Sequence, residues 1–398
     1  MQRVLAPGAR VHLKARHPLH RSFTDDPACA LRITDHSLQT LLTDGGAENF
    51  KELFTTLHLD PSFAAEARAH GWKGQRLDFE MRTRVNAVES TRKVYRVEKG
   101  ADFQERFPGG LRCYTEIPGL PAYPFTVYAD FKSDSIVSRE IALTGIWEGN
   151  ETQIVARLLR ALAQKYADRP LRFFNVGANI GWYSALALHC VDRVDVTAFE
   201  PVASTFALLK ENCHALNAEQ RVTLQHLALS DTGGRAQIFV QQGNFGGSSL
   251  IARNADDAAH AEEIELMSLR DYVRALGDTD PAELCDLLMM DIEGAEHKFF
   301  NGAGALFAGG FRPLICMEYS PTLLKAQGSD GTYVKDLADY GYSFYSLAAQ
   351  GLTLIPITVD AILRRYAQIL KSGDECFLNL LAVPSSVDLK ALLSLRTS

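Results

Sequence analysis

Phe173-Phe174-Asn175-Val176-Gly177-Ala178-Asn179-Ile180-Gly181-Trp182-Tyr183, running on into Ser184-Ala185-Leu186-Ala187-Leu188, reads as a strand, a tight turn and a helix. Aromatic and β-branched residues lead in, small residues make the turn, and the helical pattern follows without a proline. Such a turn brings backbone close to a ligand, because glycine lacks the Cβ that would hold the ligand off. The surrounding run 173–191 is uncharged and approaches membrane-spanning length, but Asn175, Asn179, His189 and two glycines inside it favour a buried strand-turn-helix.

Outward from this stretch the periodicity alternates. Strand patterns fall at 172–176, 195–200, 222–229, 287–291, 314–318, 342–347 and 375–383, with helical patterns at 182–190, 205–216, 295–302 and 333–340. Apolar strands alternating with helices predict an α/β domain whose mostly parallel sheet is covered by helices on both faces. Extra β structure is expected at 236–241 and 264–269. Upstream, Ile154, Val155, Leu158, Leu159 and Leu162 share one face of a lead-in helix. Trp147 and Glu148 just before it are candidate lid residues, or else a packed indole and a first-turn acid favoured by the helix dipole. Residues 1–130 read as an accessory or cap region with short helical patterns at 36–42 and 62–70, and 131–398 as the main domain. The proline-rich Ile117-Pro118-Gly119-Leu120-Pro121-Ala122-Tyr123-Pro124 is expected to be an irregular connector.

The chain has 398 residues, 46% hydrophobic and 22% charged, with a formal net charge of -7. It is long enough to bury a sizeable core, and its charge gives no reason to expect nucleic acid or an anionic membrane as partner. A small-molecule partner fits better. The seven cysteines are scattered and never form Cys-x-x-Cys, so they read as reduced core residues of a cytoplasmic protein without structural zinc. The N-terminus lacks the apolar segment of a signal peptide. Oligomeric state leaves no trace in the sequence.

In a doubly wound sheet the ligand lies at the carboxyl ends of the strands, near the switch in strand order. A dinucleotide site wants Gly-x-Gly-x-x-Gly, but here Asn179 takes the second glycine position and Trp182 the third, which removes the pyrophosphate anchor. The second strand ends in Phe199-Glu200-Pro201, and an acidic residue there is placed to accept hydrogen bonds from ribose hydroxyls. A glycine loop with that carboxylate, but no pyrophosphate machinery, suits a nucleoside ligand such as S-adenosylmethionine.

From about residue 175 to 383 the chain resembles the FkbM-type methyltransferases. Asn175-Val176-Gly177-Ala178-Asn179-Ile180-Gly181 is similar to the family's Asp-x-Gly-Ala-Asn-x-Gly, and Phe199-Glu200-Pro201 to its Phe-Glu-Pro. Asp291-Ile292-Glu293-Gly294-Ala295-Glu296, followed by Asn301-Gly302-Ala303, is similar to its third signature. Phe245-Gly246-Gly247-Ser248-Ser249 and Met317-Glu318 resemble two further landmarks, and 138–148 its lead-in. Two positions depart: Asn175 stands where the family has an acid, and Met289 where it often has Lys.

The resemblance implies a Rossmann-like, seven-stranded, mostly parallel sheet and transfer of a methyl group from S-adenosylmethionine, with oxygen of a sugar, secondary metabolite or carboxylate as acceptor. It assigns the cofactor to Asn175, Gly177, Ala178, Asn179, Gly181, Glu200 and Pro201, with Ala228 and Leu229 beside the adenine and Ser230 next to them. Asp291 is the first candidate to position or deprotonate the acceptor, joined by Glu293 and Glu318. Such a cluster serves as a base or binds a hard divalent cation; no metal ligands are assigned. Glu296 reads better as a helix-start acid, His297 as a surface or outlying residue, and the 244–249 loop as acceptor-facing or a plain hairpin connection. The alternative from another class is a non-catalytic nucleoside-binding or scaffold module on the same fold.

Overall fold

The computed structural model describes residues 109–129, 134, 136–241, 247–250, 258–277, 279–347, 352–373 and 376–395. All belong to Arg96–Ser398, one of two compact units into which the chain divides. The helices expected at 36–42 and 62–70 and most of the expected accessory region lie outside the described residues.

In chain order, a hairpin of β1 (Gly110–Tyr114) and β2 (Pro124–Tyr128) precedes helices α1 (Val137–Thr144) and α2 (Gly149–Lys165). Then follow β3 (Leu171–Val176), α3 (Trp182–Cys190), β4 (Val194–Phe199), α4 (Ala203–His214), β5 (Val222–Gln225), β6 (Ala228–Ser230), β7 (Gly234–Gln241), β8 (Ala258–Ser268) and α5 (Leu269–Leu276). After a single 3-10 turn come β9 (Leu287–Met290), α6 (Glu296–Ala308), β10 (Leu314–Tyr319), α7 (Pro321–Ala326), α8 (Tyr333–Asp339), β11 (Tyr342–Leu347), β12 (Leu354–Ile357), α9 (Val359–Ser372), β13 (Leu378–Pro384) and α10 (Leu389–Ser394). No helix among the described residues is long and apolar enough to cross a membrane.

The central sheet has eight strands in the order β12-β11-β13-β10-β9-β3-β4-β5. Strands β5, β4, β3, β9 and β10 run parallel, while β13 is antiparallel to both β10 and β11. The period of two along each strand divides the core. Phe173, Leu287, Met289 and Cys316 pack with helices α2, α3 and α4 on one face. Phe174, Leu288, Met290 and Ile315 pack with α5, α6, α8 and α9 on the other. Both faces are covered, which is why β9 is apolar and buried at every position.

Two expectations need correction. The sheet has eight strands, not seven, because 354–357 returns antiparallel onto β11 as an outer edge strand. The pattern at 222–229 is two strands in different sheets. The central ladder ends where the Glu200 amide bonds the Gln225 carbonyl, and Ala228–Ser230 then pairs with β8 in a three-stranded sheet of order β6-β8-β7. That small sheet contributes Ile238, Val240 and Ile264, which pack with Val202 as a third apolar cluster beside the tip of β4.

Successive strands β3 and β4 are neighbours, whereas β9 lies on the other side of β3. The strand order therefore switches direction between β3 and β9. The loops leaving the carboxyl ends of β3, β4 and β9 converge at this crevice, where doubly wound sheets bind ligands.

Candidate functional site

The turn after β3 folds over the end of β4. The amides of Gly177 and Ala178 both donate to the Phe199 carbonyl, at 3.0 and 2.9 Å. Gly177 has φ 77°, and a Cβ built there would run into the Asp291 carbonyl oxygen. The glycine loop and the chain leaving β9 thus touch backbone to backbone, which only glycine allows. Asn179 follows at φ 49°, a left-handed conformation that Asn tolerates better than most residues. Its side-chain Oδ1 is buried without a hydrogen-bond partner, and the residue lines the cleft described below.

Glu200 is 5% exposed and organises the same loop. Its Oε2 accepts from the Asn179 amide at 2.7 Å, and its Oε1 accepts from the Val202 amide at 2.9 Å and the Thr205 hydroxyl at 2.8 Å. A carboxylate offers about four lone-pair sites, so three are committed to the protein and one remains for a ligand. Burial raises the Glu200 carboxyl to about 6, against the opposing pull of those three hydrogen bonds.

Beside Glu200 opens a cleft. Leu227, Ala228, Leu229, Ile238, Ile264 and Leu266 form its apolar wall, Gly177, Asn179, Glu200 and Pro201 its polar rim, and Ser248 and Ser249 flank it. Its far end is closed by Asp291, Ile292, Glu293 and Ala295. Asp291 is anchored by its amide to the Val176 carbonyl at 3.1 Å. Glu293 and Gly294 then turn through φ 54° and 92°, and a Cβ on Gly294 would lie 2.6 Å from the Leu323 carbonyl carbon. The turn is wedged between α7 and the glycine loop.

Asp291 also borders a second, smaller cavity, lined by Glu148, Glu151 and Glu318 together with Met289, Cys316 and Asn379. Glu148 stands at φ 44° before α2 and accepts a hydrogen bond from the Tyr183 hydroxyl at 2.8 Å. Burial, and then Glu148, raises the Glu151 carboxyl well above the usual range. Burial raises Asp291, reinforced by Glu293, Glu148 and Glu296, and burial raises Glu318, reinforced by Asp291 and Glu293. Asp291 lies deep in the protein yet keeps exposed surface, because the cleft reaches down to it. Water entering there softens the upward shift. Carboxyls gathered around one small space resist simultaneous ionisation. Among the described residues no group of three or more His, Cys, Asp and Glu is arranged to hold a metal ion.

Of the residues singled out in the sequence, Gly177, Asn179, Glu200, Pro201, Ala228, Leu229, Asp291 and Glu293 meet around the cleft, and Glu318 joins Asp291 at the second cavity. Three lie elsewhere. Asn175 points toward α3, donating from Nδ2 to the Ser184 hydroxyl at 2.9 Å, and is 2% exposed. Ala178 is buried under the loop. Gly181 caps α3 at φ 90°, where a Cβ would lie 2.7 Å from Leu209 Cδ1, so it serves the packing of α3 on α4. The lead-in segment is latched. Trp182 Nε1 donates to the Thr152 hydroxyl at 2.8 Å, and that hydroxyl donates to the Trp147 carbonyl at 2.5 Å. With the Tyr183–Glu148 bond, these contacts tie Trp147 and Glu148 to the helix that follows the glycine loop. His297 Nδ1 lies 3.2 Å from the Gly294 carbonyl. Of the 244–249 loop, Ser248 and Ser249 reach the cleft, and 244–246 lie outside the described residues.

Sequence reading missed Glu151, Tyr183, Thr205 and Ile238. Glu151 carried a signal, since it lies three residues after Glu148, in the first turn of the helix that Glu148 leads into. Thr205, five residues after Glu200 in a helix start, also had one. Tyr183 and Ile238 are brought in by tertiary packing alone.

Residues 175–344 match the family described as Methyltransferase FkbM domain. No curated protein matches the chain. Among solved structures, it is similar to precorrin-6y C5,15-methyltransferase from Geobacter metallireducens (14% identity over 60% of this chain and 90% of that one, TM-score 0.31). It is also similar to M. jannaschii TYW2 in complex with AdoMet (10% identity, 68% and 84%, TM-score 0.33). A third is the O-methyltransferase TomG from Streptomyces achromogenes (13% identity, 62% and 86%, TM-score 0.29). Likenesses this slight carry no functional weight.

Proposed function

Residues 175–344 carry a match to the FkbM methyltransferase domain, and from that premise we propose that the protein transfers the methyl group of S-adenosylmethionine to an oxygen atom of a small acceptor. The observation that carries this reading is the position of Asp291, at the junction of the cleft beside Glu200 and a carboxyl-lined cavity. In-line displacement demands that the acceptor oxygen meet the methyl carbon directly, opposite the sulfur, and a carboxyl at such a junction is placed to align the two.

The cleft fits the nucleoside part. Its apolar wall suits a purine, Glu200 retains one acceptor site for a ribose hydroxyl, and Gly177 leaves the backbone open to close approach. Nothing in the loop resembles a pyrophosphate cradle. When bound, S-adenosylmethionine supplies an electrophilic methyl group on a positively charged sulfur. Asp291 would orient the acceptor hydroxyl and take its proton as the carbon–oxygen bond forms and the methyl carbon–sulfur bond breaks. A carboxyl held above its ordinary range is a better base than a free one. Glu148, Glu151 and Glu318 supply hydrogen-bond acceptors for the polar body of the acceptor, which favours a polyhydroxylated compound over an apolar or anionic one. Six free cysteines among the described residues support a cytoplasmic setting.

Asp291→Asn tests the role of the carboxyl. The variant is expected to bind S-adenosylmethionine within about threefold of the wild type and to lose on the order of 10²-fold or more in kcat, the size of a general-base contribution. Transfer of labelled methyl to a panel of sugars, hydroxy acids and carboxylates is the assay. Unchanged turnover would remove Asp291 from the reaction. Cofactor binding by the wild type without transfer to any acceptor would favour the non-catalytic module.

A further inference from the structure

Glu296 opens α6 and is 2% exposed. Its Oε1 accepts from the amides of Ile292 and Gly294, both at 3.3 Å, so one oxygen gathers in the turn that starts at Asp291. Its Oε2 is buried with no hydrogen-bond partner. Without the Oε1 acceptor, two amides inside a turn already at positive φ would lose their partner, and buried unpaired amides are costly. The turn has little freedom to find another, being packed against Leu323 through Gly294 and against Gly177 through the Asp291 carbonyl.

We propose that Glu296 is a positioning residue for Asp291, acting through the turn it holds and through its charge. This rests on the role given to Asp291 above. The geometric part is the double acceptance by Oε1, which fixes the backbone from which the Asp291 side chain projects. The electrostatic part follows from what faces the carboxyl: Asp291 and Glu293 on the turn, Glu318 on β10 and Tyr333 on α8. Burial raises the Glu296 carboxyl to about 7. As it ionises, it places a second negative charge behind Asp291 and raises the Asp291 carboxyl further. Glu296 also bonds its own amide at the start of α6, but a helix-start acid that did only this would leave the amides of Ile292 and Gly294 without this partner and would leave Asp291's titration alone.

Glu296→Gln and Glu296→Ala separate the two parts. Gln keeps an acceptor oxygen but never ionises, whereas Ala loses both. Three measurements apply: hydrogen exchange of the segment containing Ile292 and Gly294, the Asp291 titration, and turnover. The titration is followed by carbon-13 NMR of carboxyl-labelled aspartate, with the resonance assigned by its loss in Asp291→Asn. Glu296→Gln is expected to retain amide protection, to move the Asp291 midpoint down by ~0.5 pH unit or more, and to recover most of the turnover that Ala loses. In Glu296→Ala the turn is expected to exchange at least ~10-fold faster and kcat to fall at least ~10-fold, with S-adenosylmethionine affinity within about threefold. Unchanged exchange in the Ala variant, or an unmoved Asp291 midpoint in the Gln variant, would overturn the proposal. Should the Ala variant not fold, the Gln titration decides alone. Exchange and titration need neither cofactor nor acceptor, so a failure of methyl transfer in the wild type would count against the proposed function and leave these two results readable.

Discussion

Glu200→Gln is expected to weaken S-adenosylmethionine binding by about 10- to 100-fold. The substitution is nearly isosteric, but it turns one acceptor oxygen into an NH2 donor. All three protein partners of Glu200, the amides of Asn179 and Val202 and the Thr205 hydroxyl, present hydrogens to it. Whichever way the Gln amide is turned, at least one donor faces another donor in a nearly dry site. Leaving one buried donor unpaired costs about 1–3 kcal/mol in the free and the bound protein alike and so lowers stability, whereas losing the ligand's hydrogen bond to a charged acceptor costs binding about 1.5–3 kcal/mol. Since about 1.4 kcal/mol is tenfold in affinity, the latter amounts to about 10- to 100-fold. The Asn179 amide is part of the loss, so the loop itself should loosen and the ligand-free protein should melt several degrees lower. Calorimetric titration gives the affinity and a thermal scan the stability. Wild-type affinity in a folded Glu200→Gln protein would show that this carboxylate does not face the nucleoside.

Gly177→Ala is expected to destabilise the fold by about 3 kcal/mol or more, an effect in the upper range for a single methyl group. Two penalties act together. At φ 77° an L-residue pays a conformational penalty of roughly 1–2 kcal/mol. The new Cβ would also meet the Asp291 carbonyl oxygen, a backbone atom that cannot swing aside as a side-chain tip could. Asp291 is fixed by its amide to the Val176 carbonyl at 3.1 Å, so relief requires β3 and β9 to part or the loop to refold. Either movement reaches the cleft and the turn bearing Asp291 at once. Denaturant unfolding measures the first effect, and loss of cofactor affinity accompanies it. A change below about 0.5 kcal/mol would mean that the loop is not packed on Asp291 as described.

These two residues were legible in the sequence for local reasons. Gly177 sits where a buried strand breaks into a helix, and Glu200 stands at the end of the next strand, so periodicity and turn chemistry sufficed. The same local logic reached Asp291 through the apolar strand before it. It did not reach the partition of side chains between the faces of β3. Asn175 shares its side with Phe173, toward α3, and the period of two contained that information. The carboxyl-lined cavity was out of reach because Glu148 and Glu151 stand some 140 residues before Asp291 in sequence (291 minus 148 is 143). Only the packing of α2 and α3, with the Tyr183 and Trp182 hydrogen bonds, brings them there. The eighth strand was missed for a different reason. Leu354–Ile357 is a four-residue edge strand containing Pro356, a residue that argues against a central strand and is compatible with an edge.

The division of 222–229 into β5 and β6 has a functional consequence. Had the strand continued in the central sheet, Ala228 and Leu229 would have been ordinary core. By leaving it for the small sheet, they join Ile238, Ile264 and Leu266 in lining the cleft. The cleft therefore depends on the insertion of β7 and β8 as much as on the doubly wound core.

The most direct test is calorimetric titration of the protein with S-adenosylmethionine and with S-adenosylhomocysteine. One molecule of each per chain is expected to bind, with dissociation constants between about 1 μM and 1 mM, the range typical of enzyme substrates. No heat of binding from either compound at high micromolar concentration, with the protein shown to be folded, would contradict the assignment of the cleft and the function built on it.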